Sequence, residues 1–432
     1  MAHYKVPGVS IALVDSGRIA WARGFGITQS GTTDSITPAT LFQAASISKP
    51  VAATAMLRLV EAGALSLDTP INRYLRSWKV PDNEFTASQP VTLRRIVSHA
   101  AGLTIHGFPG YAAGDAIPTL PQLLDGAAPA NTAAVRVYAV PGTEWNYSGG
   151  GVTIEQLAMM DVTGEPFPSL MKRLVLDPIG MTNSGYDQPL PVAKRGREAA
   201  GHRTDGTMIP GRWHTYPEMA AAGLWTTPTD LLRWAMEIAA ARAGRSTKVL
   251  SQSMATAMLS VQQAPSGLSP MLHGTGPAFY FEHGGANEGF RCMVLYFPEL
   301  GRGAAVMTNG DAGVGLTQEI LYALAKEYRW PEYQPREVRA VTLESARMAQ
   351  LVGDYPLPAS MVGAGVTKTL EVRFEHGMLT AEVAGLLPKT EFVVIDGGTL
   401  LSPESGMEMT MIVGNDGRIV GLKLSSTTLT KK

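Results

Sequence analysis

An α/β (α+β) architecture is predicted: an antiparallel sheet flanked by helices over residues 1–330, carrying a mainly helical insertion at about 50–270, and an all-β barrel-like domain over 346–432. Three observations carry this prediction. Strand patterns stand at both ends of the first segment, helical patterns fill its middle, and the remainder alternates with period two between turn signals. Strands at both ends of one domain imply that they pair in a single sheet. A chain of 432 residues also exceeds a usual single domain, which favours two.

Each element follows from local pattern. Gly8 to Val14 and Ile19 to Gly24 are apolar and partly β-branched, joined by Asp15-Ser16-Gly17-Arg18, which reads as a hairpin. The spacing of Val51, Ala55, Met56, Leu59 and Val60 predicts a helix starting near Ser46, with Pro50 in its first turn and Gly63 as its stop. Thr227-Pro228-Thr229-Asp230 predicts another helix start, followed by Leu231, Leu232, Trp234, Ala235 and Ile238 at helical spacing. Strands are then expected at Ala278 to Glu282, Cys292 to Phe297 and Ala304 to Thr308, and a helix at Leu316 to Tyr328. Residues 331–345 are polar, hold two prolines and read as a linker. Beyond them, Glu375-His376-Gly377, Asp396-Gly397-Gly398 and Asn415-Asp416-Gly417 recur as hairpin turns of an antiparallel domain.

Composition excludes several function classes. Thirty-six basic and 37 acidic residues nearly cancel, so no electrostatic case for nucleic acid or an anionic membrane arises. Cys292 is the only cysteine, the eight histidines are scattered and no H-E-x-x-H pair occurs; no metal and no cofactor is expected. No apolar run approaches the roughly eighteen residues of a membrane helix. The opening MAHYKVPGVS lacks a basic and apolar leader, which implies a cytoplasmic chain as written, or a periplasmic or secreted one whose leader was removed.

The chemistry-bearing motif is Ser46-Ile47-Ser48-Lys49, an S-x-x-K. Residues three apart on a helix share a face, so the amine can reach the hydroxyl. Serine is a poor nucleophile until a neighbour takes its proton, and Lys49 can do so only as the free amine. Burial, another cation or the positive end of a helix dipole would lower its pKa from about 10.4. Alone, the motif is more readily a serine cap followed by a solvated lysine. Two further segments stand behind it. Trp145-Asn146-Tyr147-Ser148-Gly149-Gly150-Gly151 suits a tyrosine held in a glycine-rich loop. Phe281-Glu282-His283-Gly284-Gly285-Ala286 reads as a strand end running into glycines, where backbone can approach a ligand.

In that order and with those gaps, the three segments resemble the serine hydrolases related to class C β-lactamases, DD-peptidases, D-aminopeptidases and family VIII carboxylesterases, over residues 6 to 330. Val6-Pro7-Gly8-Val9-Ser10, Leu67-Asp68-Thr69-Pro70-Ile71, Ser98-His99-Ala100-Ala101-Gly102-Leu103 and Gly223-Leu224-Trp225-Thr226-Thr227 support the resemblance. It implies that Ser46 is the acylated nucleophile, that Lys49 and Tyr147 share its activation as a coupled pair, and that the backbone N–H groups of Ser46 and Ala286 form the oxyanion hole. Tyr147 is then expected to need a lowered pKa, which Lys49 as ammonium could supply. His283, Gly284, Gly285, Gly149 and Trp225 are expected to bind substrate, and Trp213, His214, Tyr216 and Glu218 are further candidates for the cleft wall. His99 and His106 are read as satisfying core or loop hydrogen bonds. The last domain resembles the lipocalin-like module appended to some relatives.

Two departures bear on specificity. Many relatives read Y-x-N where this chain has Tyr147-Ser148-Gly149, so the amide that grips an acylamide is missing. Penicillin-recognising members read K-T-G where this chain has His283-Gly284-Gly285, which replaces a permanent cation by an imidazole. No G-x-S-x-G occurs, which excludes an α/β-hydrolase elbow. The expected partner is a small ester or amide. Short-chain ester hydrolysis leads, with weak β-lactam hydrolysis beside it. D-amino-acid amide or peptide hydrolysis, acyl transfer or peptide cyclisation on the same residues, and a catalytically slow binding or assembly protein, are the alternatives; a homo-oligomer is left open.

Overall fold

Pairing of strands from the two ends of the catalytic segment is what creates its sheet. The computed structural model describes all residues except 336, 359–366, 385–386, 396–397, 404–405, 425–426 and 432. The described chain divides into two units, Met1–Tyr333 and Gln334–Lys432. In the first, β1 (Gly8–Asp15) and β2 (Arg18–Gly26) form the expected hairpin. Two short strands, β3 (Phe42–Gln43) and β4 (Trp225–Thr226), pair on their own. Near the far end come β5 (Met271–His273), β6 (Tyr280–Asn287), β7 (Phe290–Phe297) and β8 (Arg302–Thr308). The main sheet runs β2-β1-β8-β7-β6-β5, antiparallel throughout, with Val9 opposite Thr308 where the two chain ends meet.

β1 is buried on both faces, and its alternation shows why. Ala12 and Val14 point into the large core beneath the helical insertion. Val9, Ile11 and Leu13 point the other way, onto Leu316, Leu321, Leu324 and Ala325 of the last helix of this unit.

The insertion contains α1 (Ser48–Glu61), α2 (Glu84–Ser88), α3 (Leu93–Val97), α4 (Leu120–Asp125), α5 (Gly149–Thr163), α6 (Phe167–Met171), α7 (Asp177–Ile179), α8 (Met219–Ala222), α9 (Pro228–Arg242) and α10 (Gln252–Met258); α11 (Gly313–Glu327) follows the sheet. The Thr227 hydroxyl accepts from the Asp230 N–H and starts α9 where the sequence placed it. The glycines after Tyr147 are not a loop, however. Gly149, Gly150 and Gly151 form the first turn of α5, because the Ser148 hydroxyl accepts from the Gly151 N–H and fifteen residues of packing outweigh poor intrinsic propensity. Likewise β6 does not end at His283 but continues through both glycines to Asn287.

The second unit opens with α12 (Ser345–Leu351), a short helix the sequence reading assigned to linker and strand; Leu351 packs in the core of this unit beside Tyr355. Eight strands follow in meander order, β9 (Gly353–Pro356) to β16 (Thr427–Thr430), and β16 returns alongside β9, so the sheet nearly closes into a barrel. Turns stand at His376-Gly377 and Asn415-Asp416-Gly417 as expected; the turn at Asp396-Gly397 lies outside the described residues.

Candidate active site

Ser46 does not begin α1. It sits in a 3₁₀ turn, Ala45–Ile47, that runs directly into the helix at Ser48. Ala45 holds a left-handed backbone, φ 49°, a conformation costing an alanine roughly 1–2 kcal/mol. The surroundings enforce it. Ala44 N–H bonds the Leu224 carbonyl at 2.8 Å, the Ser48 hydroxyl donates to the Ala45 carbonyl at 2.5 Å and accepts from Leu224 N–H at 3.0 Å, and Tyr186 donates to the Ser48 carbonyl at 2.7 Å. Three elements thus pin the turn that presents Ser46.

Lys49 lies one step along this turn with Nζ 2.9 Å from Ser46 Oγ and 2.8 Å from the Ala221 carbonyl oxygen. It is 2 % exposed. Burial pulls its pKa down to about 7, while Glu218 and Glu155 push the other way. The amine is therefore populated at neutral pH, within reach of the serine proton.

Tyr147 stands across from this pair, and its hydroxyl interacts with Ser46. Here one expectation fails. Burial raises the Tyr147 pKa above the ordinary phenol range, and only the Ser46 contact opposes it. Lys49 Nζ lies over the face of the ring, 5.0 Å from its centroid, so a lysine charge meets the ring's π face. Tyr147 is held neutral, as a proton donor. The ring packs against His99 at 4.2 Å, His106 at 4.8 Å and His283 at 6.1 Å between centroids. His99 accepts from Ser148 N–H at 3.3 Å through Nδ1, so it does serve a loop hydrogen bond as expected; both it and His106 also wall the tyrosine.

The β6 edge closes the site. Gly285 is required there, since a Cβ would collide with the Ala44 carbonyl oxygen and Cys292 Sγ. Asn287, whose amide donates to Gln43 Oε1 at 2.7 Å and the Ala222 carbonyl at 3.1 Å, ties the strand end to β3, just ahead of the Ser46 turn, and to α8. A two-residue turn, Glu288-Gly289, makes Asn287 and Phe290 a hydrogen-bonded pair, and alternation makes Ala286 and Arg291 the next, non-bonded pair. The Ala286 N–H is thereby directed away from β7, towards the open edge beside the Ser46 turn. Ser46 N–H precedes the first bond of its 3₁₀ turn and is an orphan donor there. Gly285→Ala must push β6 off Ala44; displacement of the site by about 1 Å is expected to cost about 10²-fold in whatever turnover depends on Ser46. Unchanged turnover would show that the strand yields without moving Ser46.

His283 is buried at 4 % exposure, and burial, then Lys49, hold its pKa down to about 4. Its Nδ1 meets the Gly284 carbonyl at 2.6 Å, which fixes the proton on Nδ1 and leaves Nε2 a buried acceptor without a partner. Two other expected binding residues move. Trp225 is 1 % exposed, stacked edge-on against Trp213 and Phe290, and belongs to the core rather than to an open wall. Gly149 is buried with its Cβ direction facing the His106 carbonyl and the Phe108 ring, so that position is occupied by His106 and Phe108. Tyr216 and Glu218 are likewise buried. Residues the motifs did not single out are Ala221, whose carbonyl holds Lys49, and Glu155, a buried acid on α5. Its only signal was an acid inside the apolar run Val152 to Met160.

Among the described residues no cluster of three His, Cys, Asp or Glu could hold a metal ion, and no helix is long and apolar enough to cross a membrane.

Comparison with known proteins identifies relatives of the chain and its fold. The β-lactamase family model matches residues 1–328. Penicillin-binding protein 4 of Amycolatopsis lactamdurans is 28% identical over 377 residues, 82% of this chain and 93% of that one. Esterase EstB of Burkholderia gladioli is 28% identical over 262 residues, 53% of this chain and 64% of that one. Among solved structures, the octameric penicillin-binding protein homologue from Pyrococcus abyssi has TM-score 0.62 at 20% identity, covering 100% and 97% of the two chains. The D-amino acid amidase from Ochrobactrum anthropi has TM-score 0.60 at 22% identity, covering 75% and 95%. Likeness at these identities shows the shared fold.

Proposed function

The chain belongs to the β-lactamase family, and on that premise we propose that it hydrolyses short-chain, uncharged carboxylic esters through an acyl-enzyme on Ser46. The observation that carries the catalytic part is the 2.9 Å contact between Ser46 Oγ and an amine whose pKa lies about 7. Ser46 Oγ attacks the ester carbonyl as its proton passes to Lys49 Nζ. The developing oxyanion is held by the N–H groups of Ser46 and Ala286 at the positive end of α1. Tyr147 gives its hydroxyl proton to the leaving alkoxide and is reprotonated by the Lys49 ammonium. Water then takes the alcohol's place, losing a proton to the same pair, and releases the acid with Ser46 restored.

His283 supports the preference for uncharged substrates. Where penicillin-recognising relatives offer a cation, this site offers the lone pair of a neutral imidazole, which repels a substrate carboxylate. Aromatic surface supports an apolar acyl or alcohol group: Trp145, 36% exposed, lies edge-on to His99 and 6.4 Å from the Tyr147 ring. Amide chemistry is the competing reading, supported by a relative named D-alanyl-D-alanine-carboxypeptidase/endopeptidase in Escherichia coli, 24% identical over 52% of this chain.

Rates on a short p-nitrophenyl ester, a D-alanyl p-nitroanilide and a chromogenic cephalosporin separate these readings. The ester is expected to exceed the other two by at least about 10²-fold in kcat/KM, the scale of one lost binding or protonation contribution. Faster anilide turnover would replace the esterase assignment by an amidase. A biological role intact in Ser46→Ala would instead favour a binding or assembly protein.

A further inference from the structure

Two carboxylic acids stand inside the protein around Lys49 without partners. Glu155, on α5, and Glu218, at the N-terminal cap of α8, are both 0 % exposed, and neither carboxyl has a hydrogen-bond partner in another residue. Their placement is fixed by one framework. Gln156, the neighbour of Glu155, accepts from Ala220 N–H at 2.8 Å and donates to the Pro217 carbonyl at 3.1 Å, bracketing Glu218 from both sides. The same short helix supplies the Ala221 carbonyl that holds Lys49 Nζ. A buried carboxyl lacking donors should be selected against unless something charged engages it. The cation whose charge opposes the effect of burial on both acids is Lys49.

We infer that Glu155 and Glu218 are positioning residues for the Ser46 reaction: they act on Lys49 by charge through the buried space, without a hydrogen bond to it, and set the pH at which Lys49 is a free amine. The inference rests on the reading of Lys49 as the base for Ser46. Lys49 is faced by His99 and His106 from the loops before α5, by His283 from β6, by Tyr147, and by the two glutamates. The histidines lose their charge to burial and to Lys49, so they cannot balance an ammonium. The glutamates are the groups able to carry a negative charge there. The ammonium beside one ionised glutamate and the amine beside that glutamate protonated hold the same number of protons, so each acid adds an ammonium form to the equilibrium and its loss leaves more of the amine. Burial supports the form with the glutamate protonated by raising both carboxyls to about 8.

The test is the pH profile of ester kcat/KM in Glu155→Gln and Glu218→Gln. Each substitution removes an acid that favours the ammonium, so the acid limb is expected to move to lower pH by about 1 unit, a roughly tenfold gain at a fixed pH on that limb. A structural role alone would lower the whole profile without moving the limb, and a limb unmoved in both variants overturns the inference. Carbon-13 NMR of glutamate-labelled protein covers the case in which the variants do not fold. Wild type should show two carboxyls titrating near 8, displaced upwards in Lys49→Met. Ordinary titration between about 4 and 5, or no response to loss of Lys49, would refute it. Because this readout needs no turnover, it separates failure of the glutamate assignment from failure of the esterase reading.

Discussion

Ser46→Ala is expected to lower kcat/KM for a short p-nitrophenyl ester by about 10⁵-fold, while the fold stays intact. The size follows from what remains. Without Oγ no covalent intermediate forms, and the oxyanion donors and binding surface can assist only direct attack by water. The substitution deletes one partly buried oxygen with its contacts to Lys49 and Tyr147, and Lys49 Nζ keeps the Ala221 carbonyl. Thermal unfolding should therefore stay within a few degrees of wild type. Turnover near the wild-type rate would place the nucleophile elsewhere.

Lys49→Ala carries the second largest effect, a loss of about 10³-fold at the pH optimum, the contribution of a positioned base. The accompanying pH dependence identifies it. In wild type the active form is the amine, and its pKa is lowered to about 7 by burial. Below that value Lys49 is an ammonium with no lone pair for the Ser46 proton, so kcat/KM should fall tenfold per unit as pH drops; above it the rate should level. Tyr147, raised by burial, contributes no basic limb at ordinary pH. In Lys49→Ala the limb near 7 should vanish. Its persistence would assign that titration to another group and leave Lys49 a structural residue.

The elements that sequence announced clearly are those with local cause. Asp15 to Arg18 turns a hairpin, Thr227 caps α9, and the alternation of β1 sends Ala12 and Val14 one way and Val9, Ile11 and Leu13 the other. Where reading failed, distant contacts decided. Gly149 to Gly151 favour a loop by propensity, yet Ser148 and the packing of α5 make them a helix. Gly284 and Gly285 suggest the end of a strand, yet β6 needs them because Ala44 passes too close for a side chain at Gly285. Trp225 could line a cleft or fill a core on any local criterion, and only its neighbours Trp213 and Phe290 decide.

The site divides in the same way. Ser46 and Lys49 were legible because three residues on one turn fix their separation. The direction of the Tyr147 shift was not, because it depends on how deeply the ring is walled by His99 and His106 and on which part of it Lys49 meets. Glu155 was hidden for a similar reason. An acid in the run Val152 to Met160 could face solvent on one side of a helix, and the segment that bonds its neighbour Gln156 lies about sixty residues away at Pro217 and Ala220.

The proposed reaction acylates Ser46 Oγ, and mass spectrometry of acid-quenched enzyme during turnover of p-nitrophenyl acetate measures that directly. One added acetyl group is expected, located on the peptide that contains Ser46 and absent from Ser46→Ala. An acetyl group on a different residue that turns over at the catalytic rate would contradict that reaction.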